Sequence, residues 1–406
     1  MDPAFMETCW RLFKRLFDGG HVYRACRITP YSNPLHTQLS HMECAKDTSL
    51  TFMSAAAVIS FPLVGVEGRE KTSLLSYTLS PWTLLSNLLL GVDPDMEYRE
   101  ILDKETEERY ILGEGRFFSE LSSNTAKYEV LGKIPGKSMV GWAYDPPFDP
   151  FVKSFPNCFR IIAVDDLRFV EGTGVRHLSP AFSQRDFDAA TSAGFLDPHQ
   201  IPPSRLDQEL FFAQQPPNFV GQGIEDASTA ILDSLARRCR VVLRLMVRCP
   251  GKVCRVTDQP VLRRAMFSWF IKVTDSIPGI LENLESTNWT PPSAKTAFVN
   301  RMANTYDWNI SRDQYWGTPI PIWASDDSEE VVCVESIKEL KRLSGFRGRL
   351  DASDRAMLDS ISIRSKRGKG VLRRVSHVFD PWSVAPPSSP LCPIVDRGWA
   401  NPLRQV

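Results

Sequence analysis

The chain has 406 residues, enough to bury a large core and to form two or three domains. Its 48 Lys+Arg balance 48 Asp+Glu, which excludes nucleic-acid binding driven by overall charge and leaves any basic surface local. The 9 cysteines are scattered without a Cys-x-x-Cys pair, and no apolar stretch reaches membrane-span length, so the composition reads as a soluble cytoplasmic protein with no membrane partner.

The first predicted element is a helix. Asp2-Pro3 supplies an N-cap and a proline at the first helical position, Gly19-Gly20 the stop, and Phe5, Cys9, Phe13 and Leu16 with Met6, Trp10 and Phe17 an apolar stripe between them. The stripe demands a partner surface elsewhere in the chain. From about Thr51 to Val175 short β-like runs punctuated by Pro, Gly and Asp predict a compact strand-rich domain, with Val58 to Leu63, Tyr110 to Leu112 and Phe159 to Val164 among its strands. Prolines 198, 202, 203, 216 and 217 mark a loop or linker, and Ile224 to Cys239 reads as a helix. After Pro260 helical and β-like segments alternate through Val331 to Val334, with a helix over Ser336 to Leu343. The tail from Pro381 to Val406 holds six prolines and no periodicity, which reads as disordered or aberrant.

Cations concentrate at Arg364, Lys366, Arg367, Lys369, Arg373 and Arg374; such a run is either a solvated face or a phosphate-contacting patch. Cys249 and Cys254 have no second pair or His cluster nearby, so no metal site is expected. A Gly-rich phosphate loop, a Ser-His-Asp order and a His-Glu-x-x-His motif are all missing. Residue types alone therefore leave the reaction open.

Three longer segments narrow it. Trp308 to Trp323, reading Trp-Asn-Ile-Ser-Arg-Asp-Gln-Tyr-Trp-Gly-Thr-Pro-Ile-Pro-Ile-Trp, is similar to the Trp-x-Ile-Ser-Arg-x-x-x-Trp-Gly block of the class I synthetases for isoleucine, valine and leucine. Its ending resembles the isoleucine branch, and Ser325 to Gly345 resembles the eukaryotic cytosolic type. Ser76 to Asn87 resembles the family's Thr-Thr-Thr-Pro-Trp-Thr-Leu-Pro-Ser-Asn peptide, and Gly172 to Phe182 its Gly-Thr-Gly-x-x-His-x-Ala-Pro-Ala-Phe, both from an inserted editing domain. The resemblance implies an α/β fold, a split Rossmann-type catalytic domain interrupted by a β-rich editing domain. It assigns 1–45 to the end of the first Rossmann half, 46–255 to the editing insert, 256–380 to part of the second half and 381–406 to the aberrant tail.

The same resemblance implies a site for hydrolysing valyl-tRNA made with the isoleucine tRNA. Asp186 matches the carboxylate that anchors the amino acid's ammonium, and Thr78, Ser80 and Thr83 match hydroxyls that position the ester and water. His177 matches a histidine shaping the amino-acid pocket, and Trp316 a further substrate-binding position. Taken alone, Asp186 is a surface carboxylate, the threonines a strand end and His177 a structural hydrogen-bonding residue. Partners implied are the acceptor end of tRNA(Ile), held by Arg364, Lys366, Arg367 and Lys369, and valine or isoleucine. Leu79 stands where the family has its middle threonine, Arg185 where it usually has an acid, and Cys254 to Pro260 is a worn Cys-Trp-Arg-Ser-Asp-Thr-Pro.

No His-Ile-Gly-His-like motif precedes the editing region and no Lys-Met-Ser-Lys-Ser-like motif follows it. ATP and magnesium are thus implied for the full-length family and no cofactor for this stretch, which reads as an internal fragment that would at most carry editing. The alternative is a catalytically dead tRNA-binding fragment or truncated paralogue.

Overall fold

A computed structural model describes residues 2–380 except 40–42, 46–50, 149–154, 156, 166, 168–171, 205, 207–223, 252, 304 and 314–316. The chain divides into two compact units, one made of its two ends, Met1–Ala25 with Phe267–Val406, and one of Cys26–Met266 inserted between them. The inserted unit contains the stretch 46–255 that the resemblance assigns to the editing insert. The tail expected to be disordered lies outside the described residues.

In the unit of chain ends, the helix Pro3–Asp18 forms as its sequence dictates. Asp2 accepts a hydrogen bond from Ala4 N, Pro3 opens the first turn, and Gly19 ends the helix. Its stripe is buried through Met6, Trp10 and Phe13 against Ile320, Ile322 and Phe379, and Trp10 Nε1 donates to Pro319 O at 2.8 Å. The partner surface that the stripe demanded is therefore supplied from more than three hundred positions further along the chain, as the Trp10 bond to Pro319 records. An antiparallel sheet in the order Val331–Cys333, Ile322–Ala324, Val371–Arg374, Ser362–Arg364 completes this core. The capped helix Ile337–Ser344 packs on it through Ile337 and Leu340.

The inserted unit is built on sheets. One follows the order Ala143–Tyr144, Thr51–Val64, Thr72–Thr78, Arg109–Gly113, Glu97–Asp103, Tyr128–Pro135, and Val241–Pro250 also pairs with Thr51–Val64. Thr51–Val64 continues well beyond the six-residue apolar run seen in the sequence, because it is paired along both edges. Thr72–Thr78 pairs antiparallel with it and parallel with Arg109–Gly113, so it is central and nearly all buried. A second sheet sets Leu89–Val92 between Ile161–Ala163, parallel, and Val175–Leu178, antiparallel. Val58, Leu75, Ile101, Tyr110 and Leu112 form the core on the first sheet.

Candidate active site

The central strand Thr72–Thr78 and the strand Val175–Leu178 are tied together by one buried hydroxyl. Ser76 Oγ donates to Val175 O at 2.9 Å and accepts from His177 N at 3.0 Å. Alternation along each strand then brings Thr78 and His177 to the same side as that tie. The loop before His177 is held from below: Gly113 N donates to Thr173 O at 2.6 Å, and Tyr98 OH donates to Gly174 O at 2.7 Å. Gly174 adopts φ +71°, and a Cβ there would lie 3.2 Å from Gly113 Cα, so both the turn and the close approach require glycine.

Ser80-Pro81 starts the 3₁₀ helix Pro81–Ser86, which returns Thr83 to the imidazole. The Thr83 hydroxyl is 2.7 Å from Ser80 O, which can only accept; Thr83 Oγ1 therefore donates there and accepts from His177 Nε2, 3.1 Å away. That assigns the imidazole proton to Nε2 from the hydrogen-bond network. Thr78 Oγ1 accepts from Ser80 N at 3.1 Å and lies 3.4 Å from His177 Nε2, which is already a donor. The hydrogen of the Thr78 hydroxyl is left for an acceptor in the cavity. His177 Nδ1 is buried with no partner among the described residues, and burial first, then the neighbouring Arg176 charge, push the imidazole down to about 4. His177 is neutral at pH 7.

Asp186 enters from the helix Gln184–Ser192, whose N-cap Ser183 accepts from Asp186 N. The residue is 6% exposed, and Oδ2 accepts from Ser179 N at 3.0 Å. Arg176 Nη1 stands 3.8 Å from Oδ1, near enough for attraction and too far for a hydrogen bond. Burial raises the Asp186 carboxyl above its ordinary range, against the opposing pull of Ser179 N–H, Arg176, Ser183 and Arg185. Ionised Asp186 is thus a buried anion that lines the cavity and that the Arg176 charge faces without a hydrogen bond.

Thr78, Ser80, Thr83, His177 and Asp186 all line one cavity of about 440 Å³ in the inserted unit. Trp82 and Phe182, packed edge to face with ring centroids 4.6 Å apart, form part of its apolar wall, and Leu79 and Arg263 also face it. Residue-type reasoning passed over Ser76, Ser179, Arg176 and Arg263. Ser76 carried a signal, being two positions before Thr78 on the same strand face; Arg263 carried none, since it meets the cavity only through the fold. Trp316 lies outside the described residues.

The basic run sits in the other unit, and part of it is paired with acids. Lys369 Nζ is 2.6 Å from both Asp327 Oδ2 and Glu329 Oε2, buried Arg374 pairs with exposed Asp359, and Arg373 lies 3.8 Å from Asp326. The cause is the sheet, which sets the acidic turn after Ile322–Ala324 beside Val371–Arg374. Arg364, Lys366 and Arg367 are exposed, and the N–H groups of Lys366 and Arg367 bond Glu330 at 2.9 and 3.3 Å.

The sequence as a whole has counterparts among known proteins. The chain belongs to the tRNA synthetases class I (I, L, M and V), whose family model matches residues 1–400. Within that family its relatives include isoleucine–tRNA ligases. It is 40% identical to the cytoplasmic enzyme of Schizosaccharomyces pombe over 385 residues, 94% of this chain and 36% of that protein. For the cytoplasmic enzymes of Saccharomyces cerevisiae and Mus musculus the identities are 39% and 36%, again over 94% of this chain, with 35% and 30% of those proteins covered. The chain thus spans about a third of the length of these curated relatives. Among solved structures, the Plasmodium falciparum cytosolic leucyl-tRNA synthetase editing domain matches 47% of this chain and 99% of itself, with a TM-score of 0.36 and 10% identity, too slight a likeness to bear on function.

Proposed function

We propose that the inserted unit hydrolyses the ester of a mischarged tRNA, taking valine off the isoleucine tRNA. The observation that carries this reading is the convergence of Asp186, Thr78, Thr83 and neutral His177 on one cavity. Valine and isoleucine differ by one methylene, from which a binding pocket gains only ~1–3 kcal/mol, a limit already established for isoleucine enzymes of this class in general. A second, hydrolytic site removes that limit.

In this reading Asp186 Oδ1 takes the α-ammonium in a charge-assisted hydrogen bond, while Ser179 N–H holds Oδ2 and fixes the carboxylate's direction. The Thr78 hydroxyl donates to the ester carbonyl or to the attacking water. Thr83 and His177 hold that hydroxyl in place as a neutral network, and Ser80 borders the path of the 3′ end. His177, neutral at pH 7, acts in positioning and not as a cation. The step is ester hydrolysis by water and calls for no covalent enzyme intermediate. Ligation of isoleucine with ATP and magnesium is proposed for the family's longer proteins and lies outside this cavity. Exposed Arg364, Lys366 and Arg367 are proposed to touch tRNA phosphates, and the cytoplasm is proposed as location because the relatives are cytoplasmic enzymes by name.

Purified chain incubated with valyl-tRNA(Ile) tests the reading. Release of valine above the uncatalysed rate, abolished by Asp186→Ala, is expected; no release, or release unaffected by Asp186→Ala, refutes it. A second reading, tRNA binding without hydrolysis, is favoured by Leu79, whose side chain is 43% exposed at the cavity where a hydroxyl would serve. Salt-sensitive binding without deacylation would select it.

A further inference from the structure

Away from the cavity, the inserted unit carries two cysteines directly opposite each other. The short strands Cys44–Ala45 and Val253–Cys254 pair antiparallel with Cys254 in register with Cys44. The bond from Arg255 N to Glu43 O, 3.0 Å, joins the residue after one cysteine to the residue before the other. In an antiparallel ladder that pattern makes Cys44 and Cys254 a non-hydrogen-bonded pair, the narrow kind, in which Cα atoms are about 4.5 Å apart and side chains lie closest. A disulfide spans Cα separations of about 4.4–6.8 Å, so the backbone already meets its requirement. Both residues stand as buried thiols that pack with Leu39 and Val261.

A second observation marks Cys254 as the reactive member. Ser32 Oγ and Thr257 Oγ1 are buried without a hydrogen-bond partner among the described residues. Burial would push the Cys254 thiol up, but those two hydroxyls with the N–H groups of Val256 and Thr257 outweigh it and hold the thiol below its ordinary value. In the turn that follows Cys254, Arg255, Val256 and Asp258 are exposed.

We propose that Cys44 and Cys254 form a peroxide-responsive dithiol that closes to a disulfide across this ladder. The Cys254 thiolate attacks one oxygen of hydrogen peroxide; the S–O bond forms, the O–O bond breaks, and the departing hydroxide takes a proton to become water. The Cys44 sulfur then attacks the Cys254 sulfenic acid; the S–S bond forms, the S–O bond breaks, and the second hydroxide leaves as water with the Cys44 proton. Two thiols lose two electrons and one peroxide becomes two waters. The bond encloses residues 44–254, the cavity residues 78–186 included, in one covalent loop and so restricts the unfolded chain.

The test uses the full chain carrying Cys239→Ser, which removes an exposed cysteine, titrated with hydrogen peroxide, quenched with N-ethylmaleimide and mapped by peptide mass spectrometry. A Cys44–Cys254 linked peptide, lost on dithiothreitol treatment and accompanied by a rise in Tm, is expected. Because serine at either position can unsettle the fold, labelling of both cysteines in the otherwise unsubstituted chain is the second measurement. It should fall to background after peroxide and return after dithiothreitol. Cys254 oxidised to sulfinic acid while Cys44 still labels, or Cys254 joined to any other cysteine, overturns the proposal.

Discussion

Replacing Asp186 by asparagine separates what that carboxylate does for binding from what it costs the fold. Asparagine keeps an oxygen that can accept from Ser179 N, so the hydrogen bond at 3.0 Å survives and only the charge is lost. A hydrogen bond to a charged group contributes about 1.5–3 kcal/mol. If the α-ammonium is held there, kcat/KM for valyl-tRNA should fall by roughly tenfold to roughly 150-fold, at about 1.4 kcal/mol per decade. Stability should move the other way. The folded-state pKa of Asp186 is raised by burial, so between its ordinary and its raised value the folded chain binds more protons than the unfolded one. Stability conferred relative to an uncharged residue is therefore full below the ordinary carboxylate pKa and is lost as pH rises through the raised one. Asp186→Asn should melt at or above the wild-type temperature at pH 8, with the difference closing at pH 4. Deacylation kinetics and melting at both pH values check this. An asparagine variant with wild-type kcat/KM, or one less stable at pH 8, refutes the reasoning.

Further expectations concern the same cavity and the basic run. His177, pushed down to about 4, should stay neutral from pH 5 upward, so deacylation should show no inflection near 6.5; a ring titrating near 6.5 by NMR would contradict the assigned network. Because its folded pKa lies below its unfolded one, His177 contributes stability that is present above about 6.5 and lost as pH falls toward about 4. Ser76→Ala leaves His177 N without its hydroxyl acceptor, while Val175 O keeps the Thr173 hydroxyl at 3.3 Å, and should cost about 1–3 kcal/mol, read by denaturant melting; a loss below about 0.5 kcal/mol would show that water replaces the hydroxyl. Leu79→Thr restores a hydroxyl at a half-exposed position and should raise deacylation with a stability change within about 0.5 kcal/mol, whereas an unchanged rate would count against Leu79 as the limiting departure. Arg367→Ala should lower the salt slope of tRNA binding by about one, while Lys369→Ala, already committed to Asp327 and Glu329, should change it less; equal effects would refute the pairing in solution.

Local order in the sequence settled the elements whose causes are local. The cap at Asp2-Pro3, the apolar stripe to Phe17 and the stop at Gly19 define the first helix, and Ser336 with Gly345 bracket another. The helix read from Ile224 runs to Ala236. The three motif blocks settled the family, and with it Asp186, Thr78, Thr83 and His177 as residues to watch. What they could not convey is that 99 positions separate Thr78 from His177 and yet the two share a hydrogen-bond network. That proximity depends on Ser76 bridging two strands, on Gly174 and Gly113 meeting, and on a 3₁₀ turn returning Thr83 to the ring. Nor could a run of cations reveal that strand pairing would lay an acidic turn against it, or a pair of cysteines that their register would be the narrow one. Helices declare themselves through contacts three and four residues apart, which a sequence displays directly. Sites and ladders are made from contacts between stretches far apart in the chain, and only the folded backbone sets which side chains face each other.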